Sequence, residues 1–422
     1  MTAVPAPRPQ PLGALPWPAG MLLLPDVPGA DALAADLVVG REPADWPEGT
    51  DVVRLALADE PAAAAAAIAG TDVVSRFNRA VLLGGDDAWA QLADSTDGEL
   101  RALVDVARFS VGLVDTPPAL DGTSGEVAAV VGSARASAAM EHGDYAGAVA
   151  ELALAADAAD AAGSPLLAAS LRLTRAGLLR EELGDPALAA READRAIGTL
   201  PLTAPRELRA ELQVTRALSR QELAGTERGA LLAVVADLTE AAKVFREDRY
   251  PELSATINVH LALAYLVMPM SSEGDRIRVG VAVNALRAAL RVYTPDTHPT
   301  AWASTQLNLA NALQYLPSVH QESNLDEAVQ LYEEVLAYRD PATDPVGYAR
   351  ILANQGNALG HLGVFADARE RLERARTLFA GAGDADGVDG VDEVLASLAE
   401  AEQTAEQTAE QAAVSGVADG VR

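Results

Sequence analysis

The sequence predicts an all-α protein in which repeated helix pairs follow a smaller, mainly helical N-terminal domain. Two observations carry this reading. From about residue 125 to 380, apolar side chains recur with the helical period. Within that stretch, turn signals are followed several times over by a helix bearing two small residues seven positions apart. Seven residues make two helical turns, so both fall on one stripe, and small side chains there let a neighbouring helix approach closely.

Residues 1–20 carry prolines at 5, 7, 9, 11, 16 and 18. Proline locks φ and removes a backbone donor, so an extended or disordered arm is expected. Residues 21–118 form the mainly helical domain: 61–68, 72–83 and 98–113 read as helices by apolar spacing and alanine content, while 37–40 and 51–57 are candidates for short strands. Thr-Pro-Pro at 116–118 and the Asp-Gly-Thr-Ser-Gly run at 121–125 mark the boundary to the repeats at 125–380. Residues 381–401 are expected to supply a polar helix covering the last apolar face of the stack. The AEQT tetrads that follow have high helix propensity but no continuous apolar stripe, so 402–422 reads as a frayed helix or a disordered tail.

The repeats show in the residues themselves. HGDYAGAVAELALAADAA at 142–159 is echoed by LGDPALAAREADRAIGTLP at 183–201, NLDEAVQLYEEVLAYRDP at 324–341 and LGVFADARERLERARTLF at 362–379. The paired positions are Ala148 and Ala155, Ala189 and Ala196, Ala328 and Val335, Ala368 and Ala375. The preceding helix repeats too: Arg135-Ala136, Ala176-Gly177 and Gln355-Gly356 stand at one interval from Ala148, Ala189 and Ala368. This pattern resembles the tetratricopeptide repeat, W-x2-L-G-x2-Y then A-x3-F then A and P, with Ala148/Leu152, Ala328/Tyr332 and Ala368/Leu372 in the A-x3-F slot and Pro201 as the closing proline. Two further copies are placed at Val235 with Ala242 and at Ala282 with Ala289, giving the series Ala148, Ala189, Val235, Ala282, Ala328, Ala368 with steps of 41, 46, 47, 46 and 40. These exceed the usual repeat of about 34 residues; part of the excess falls in long turns at 222–229, 267–278 and 317–324, and part in longer helices and inter-repeat links. The resemblance implies a right-handed superhelical solenoid of six helix pairs behind an N-terminal helical cap domain.

Composition excludes much chemistry. Asp and Glu total 61 against 32 Lys and Arg, a net charge of −29, so nucleic acid is not an expected partner. There is no cysteine, which removes disulfides, thiolate metal sites and cysteine nucleophiles, and Lys243 is the only lysine. The apolar runs at 61–70 and 260–270 are about half the roughly 20 residues a membrane span needs, and the N-terminus lacks an export-signal pattern, so a cytoplasmic protein with no membrane association is expected. His142, His260, His298, His320 and His361 are dispersed without ligand spacing. Asp384, Asp386, Asp389, Asp392 and Glu393 miss the calcium-loop positions. Neither Gly84-Gly85 nor 122–125 forms a phosphate cradle or a nucleophile elbow, so no enzyme activity, metal or cofactor is expected.

Two groups remain as candidate sites. LNLANAL gives Asn308 and Asn311, and ANQGNAL gives Asn354 and Asn357, at the same spacing in successive repeats. The resemblance implies that first helices line a concave groove in which Asn311 and Asn357 bond a bound peptide's backbone, with Asn308 and Asn354 bracing neighbouring helices. An amide both donates and accepts, which suits an extended peptide. Arg350, Gln314, Tyr315 and His361 fall near the same face by one-turn spacing. Arg172, Arg175, Arg180, Arg216 and Arg220 cluster on earlier first helices and are candidate anion contacts, in competition with pairing to nearby Glu. The expected function is therefore a non-enzymatic scaffold binding a protein or peptide partner in the groove of repeats four to six, with self-association left open. Alternatives are an assembly or maturation factor for an enzyme such as a hydrogenase, a peptide-sensing regulator, and an enzyme built on 21–118.

Overall fold

The computed structural model describes residues 4–270, 276–316 and 320–419. Residues 271–275 and 317–319, within two of the long turns, and 420–422 of the tail lie outside them. The chain divides into two compact units, Met1–Gly225 with Ala236–Val244, and Thr226–Val235 with Phe245–Arg422. Among the described residues secondary structure is helical, apart from a single antiparallel bridge between Pro5 and Pro25.

In the first unit α1 (Ala30–Leu37), α2 (Asp51–Leu57), α3 (Pro61–Ala66), α4 (Val73–Leu83), α5 (Asp86–Ser95) and α6 (Gly98–Ser110) precede α7 (Gly125–Glu141), α8 (Tyr145–Ala161), α9 (Pro165–Glu181), α10 (Pro186–Thr199) and α11 (Arg206–Ala224). The proline arm is extended but not disordered. It doubles back, with Ala6 N–H donating to the Leu24 carbonyl at 2.9 Å and Asp26 N–H to that of Val4 at 2.7 Å. Leu12, Leu22, Leu23 and Leu24 are buried. Prolines leave few backbone donors to satisfy, and buried side chains meet those that remain. Gln10 accepts from Leu24 N–H at 2.9 Å, Asn78 of α4 bonds both backbone groups of Leu23 at 2.8 Å, and Glu126 of α7 accepts from Gln10 N–H at 2.9 Å and from Arg8 at 3.0 Å.

The two strand candidates are helix and turn. Residues 51–57 form α2 because Val52, Val53 and Ala56 are buried together, and that packing overrides the β preference of branched side chains. Residues 37–40 are the end of α1 and a turn closed by Gly40 at φ 73°.

The second unit holds α13 (Pro251–Val267), α14 (Arg276–Ala289), α15 (Pro299–Gln314), α16 (Gln321–Tyr338), α17 (Pro345–His361), α18 (Phe365–Ala382) and α19 (Ala385–Asp419), and α12 (Arg228–Ala242) contributes residues to both units. Helices α7/α8, α9/α10, α13/α14, α15/α16 and α17/α18 pack as pairs, and first helices neighbour one another: α7, α9 and α11 in one unit, α13, α15 and α17 in the other. Proline opens α9, α13, α15 and α17, where its missing N–H costs no hydrogen bond. Asp144, Asp185 and Asp344 cap α8, α10 and α17 by accepting a backbone N–H three residues on.

The repeat slots are buried as pairs seven apart: Ala148 with Ala155, Ala189 with Ala196, Ala282 with Ala289, Ala328 with Val335, Ala368 with Ala375. The third copy needs a correction of one residue. Val234, Leu238 and Ala241 are fully buried there, whereas Val235 and Ala242 are only partly so. Two adjacent small apolar residues at each position made either register fit the sequence, and packing selects one. A Cβ on Gly356 of α17 would stand 2.8 Å from Leu372 Cγ and 3.0 Å from the Ala368 carbonyl of α18, so this glycine sets the closeness of the pair.

Helix α19 packs on α17 and α18 with Val391 and Leu398 buried. A Cβ on Gly360 would lie 2.7 Å from Leu398 Cδ1. The helix runs on through the AEQT tetrads, and Arg369 of α18 pairs with Glu402. No helix of the described residues is long and apolar enough to cross a membrane.

Candidate functional site

Helices α15 and α17 carry asparagines in the same register, Asn308 with Asn311 and Asn354 with Asn357. Asn308, Asn311, Asn354 and Arg350 line one cavity of about 490 Å³, together with Ser304 and Arg339. Arg339 is held by Asp344 at 3.2 Å. Arg350 is exposed, and neither it nor Asn308 makes a hydrogen bond or ion pair among the described residues. Asn357 and His361 face a different cavity, about 380 Å³, bounded on the far side by Glu393, Ser397 and Leu398 of α19. Tyr315, at the end of α15, is 69% exposed, whereas Gln314 points inward.

Tyr332 of α16 joins these residues. Its side chain is 0% exposed, and its hydroxyl donates to Asn311 Oδ1 at 2.6 Å while accepting from Gln314 Nε2. Asn354 Nδ2 reaches the same Asn311 oxygen at 3.0 Å, and Asn357 Nδ2 donates to Gln314 Oε1 at 3.3 Å. Burial, outweighing the Gln314 hydrogen bond, holds the phenol above its ordinary value of 10.0, so it remains a neutral donor. The sequence placed Tyr332 only in an apolar slot. The available signal was its oxygen, since the same slot holds leucine at Leu152, Leu238, Leu286 and Leu372.

All five candidate anion-binding arginines are engaged by carboxylates of the chain itself. Arg172, 0% exposed, binds Asp160 of α8 at 2.5 and 3.1 Å, with Glu192 of α10 at 3.9 Å. Arg175 pairs with Glu192, and Arg180 with Glu181 and Glu222. Arg216 holds Asp237 at 2.5 Å and Asp194 at 2.9 Å, and Arg220 shares Asp194 at 2.9 Å. Apart from Arg180–Glu181 these are ties between helices, which spacing along one helix does not disclose. Hydrogen bonding to Asp237 and Asp194 outweighs burial and raises the Arg216 pKa.

One further cavity was not anticipated. In the first unit Ser133, Ser137, Ser170 and Thr174 of α7 and α9 line a space of about 490 Å³ walled by Phe109 and Trp17. Among the described residues no three His, Cys, Asp or Glu side chains gather as a metal site would require.

The chain is thus an all-α helix-pair repeat protein with an amide-lined face on two first helices. No family model matches it, and no curated protein does. Similar solved structures include the TPR2AB-domain:pHSP90 complex of yeast Sti1, 15% identical over 64% of this chain and 98% of that one, TM-score 0.24. The TPR domain of P58(IPK) is 13% identical over 83% and 99%, TM-score 0.28. Naa15/Naa10 bound to HypK-THB is 12% identical over 78% and 58%, TM-score 0.22. At these TM-scores the likeness carries no argument, and the fold rests on the helix pairs and their buried slots.

Proposed function

We propose that this chain is a non-enzymatic protein-interaction scaffold that takes an extended peptide segment along α15 and α17. The observation that carries the proposal is the convergence of Asn308, Asn311, Asn354 and Arg350 on one cavity. An extended peptide brings unpaired backbone N–H and C=O groups, and carboxamides answer both. The guanidinium adds a preference for a carboxylate or carbonyl acceptor. Few aromatic anchors are at hand, so affinity is moderate.

The test is selection of a displayed random-peptide library on the immobilised full-length chain, followed by calorimetry of an enriched peptide. Asn308→Ala with Arg350→Ala removes two side chains that make no hydrogen bond or ion pair among the described residues. The expected result is a loss of affinity of about tenfold or more, roughly 1.4 kcal/mol, with an unchanged melting temperature. Equal affinity for wild type and variant would place the peptide elsewhere.

A further inference from the structure

The amide network has a direction, and one hydrogen atom sets it. A phenol carries a single O–H, so Tyr332 donates either to Asn311 or to Gln314 but never to both. In the structure it donates to Asn311 Oδ1. Gln314 must then turn its NH₂ to the phenol oxygen, which leaves Oε1 to receive the Asn357 NH₂. Asn354 donates to the same Asn311 oxygen, in keeping with that direction.

The inward-facing atoms of Asn311, Gln314 and Asn357 are thereby assigned, and with them the outward-facing atoms of the two asparagines. Asn311 keeps its Nδ2 hydrogens, and Asn357 keeps its Oδ1 oxygen, without a partner among the described residues. Neither atom is sealed from solvent. Asn311 lines the cavity with Asn308 and Arg350, and Asn357 lines the cavity beside α19.

We infer that Tyr332 is a positioning residue that forces opposite polarities on the two asparagines, Asn311 offering a donor to one cavity while Asn357 offers an acceptor to the other. Reversing one amide requires the phenol hydrogen to swing to Gln314, the Gln314 amide to turn, Asn354 to turn with Asn311, and the other asparagine to turn as well, so the two cavities are coupled. A ligand that presents an acceptor at Asn311 and a donor at Asn357 meets the network as it stands. A ligand with both polarities exchanged reverses the whole network, and one that presents the same polarity at both ends leaves a buried polar pair mismatched. The use of this device in recognition rests on the peptide-groove proposal, whereas the coupling itself is measurable in the free protein.

The experiment is side-chain amide NMR of the ¹⁵N-labelled full-length chain without ligand. Gln314→Glu places a carboxylate, which only accepts, against the phenol. Tyr332 then donates to that carboxylate, and Asn311 must turn its NH₂ inward. Both Asn311 Nδ2 proton resonances shift and their exchange with water slows. Gln314→Met, which neither donates nor accepts strongly, leaves Tyr332 donating to Asn311 and the Asn311 resonances near their wild-type positions. Gln314→Glu on a Tyr332→Phe background loses the Asn311 shift. The inference is overturned if Gln314→Glu and Gln314→Met move the Asn311 resonances alike, or if the Gln314→Glu shift persists without the phenol. The Gln314 pair alone decides the matter should Tyr332→Phe fail to fold.

Discussion

The two units treat the polar side chains of their first helices in opposite ways. In the first, Arg172, Arg175, Arg180, Arg216 and Arg220 are closed off by Asp and Glu from neighbouring helices. In the second, Asn311, Asn354 and Asn357 are joined in one network with Gln314 and Tyr332 and keep atoms open to solvent. A guanidinium paired to a carboxylate presents neither a free charge nor a free lone pair. A carboxamide that uses one end internally still has the other to offer. The comparison teaches that residue type alone does not tell a side chain closed off within the fold from one that keeps atoms to offer.

The largest expected effect breaks the first side of this comparison. Arg172→Ala removes a buried cation from Asp160 and Glu192, leaving them Arg195 and Arg175, and opens a cavity where the 0% exposed side chain stood; it should cost about 3–5 kcal/mol in urea unfolding. Arg172→Met, similar in volume, should cost less than Arg172→Ala if packing as well as charge is at stake. On the second side, Leu372→Ala opens a cavity beneath Gly356 and should cost about 2–5 kcal/mol. Hydrogen exchange should rise in α17 and α18 and stay unchanged in α7 and α8, because each pair leans only on its neighbours. Loss of protection in both units alike would show that they unfold together.

Smaller effects sharpen the picture. Asp144→Ala and Asp344→Ala each remove a helix cap, one per unit, and each should cost about 1 kcal/mol. The Tyr332 phenol gives a pH signature peculiar to the second unit. Its folded pKa lies above the ordinary 10.0, so the neutral phenol's contribution is complete below that value and is lost as pH rises beyond it. Wild type should therefore lose more stability than Tyr332→Phe between about pH 9 and pH 11, read from urea midpoints.

How much of this was legible beforehand follows from what each feature depends on. Small residues seven apart declare the helix pairs because helical geometry turns spacing into a stripe. The third repeat slipped by one because Val234 and Val235, and Ala241 and Ala242, are interchangeable to a pattern and not to a packed core. The proline arm read as extended or disordered because two of the groups that fix it, Asn78 and Glu126, lie as far as 118 residues away along the chain. The asparagine repeat was visible, but its link through Tyr332 was not, since a hydroxyl in an apolar slot acquires a partner only when α15, α16 and α17 come together.

The most direct measurement compares the two faces for one peptide selected on the wild-type chain. Calorimetry is run on Asn308→Ala with Arg350→Ala in the second unit, and on Ser133→Ala with Ser170→Ala in the hydroxyl-lined cavity of the first. The account predicts that affinity falls by about tenfold or more in the former and stays at the wild-type value in the latter. Retained affinity in the asparagine variant with loss in the serine variant would contradict it and move the binding face to the first unit.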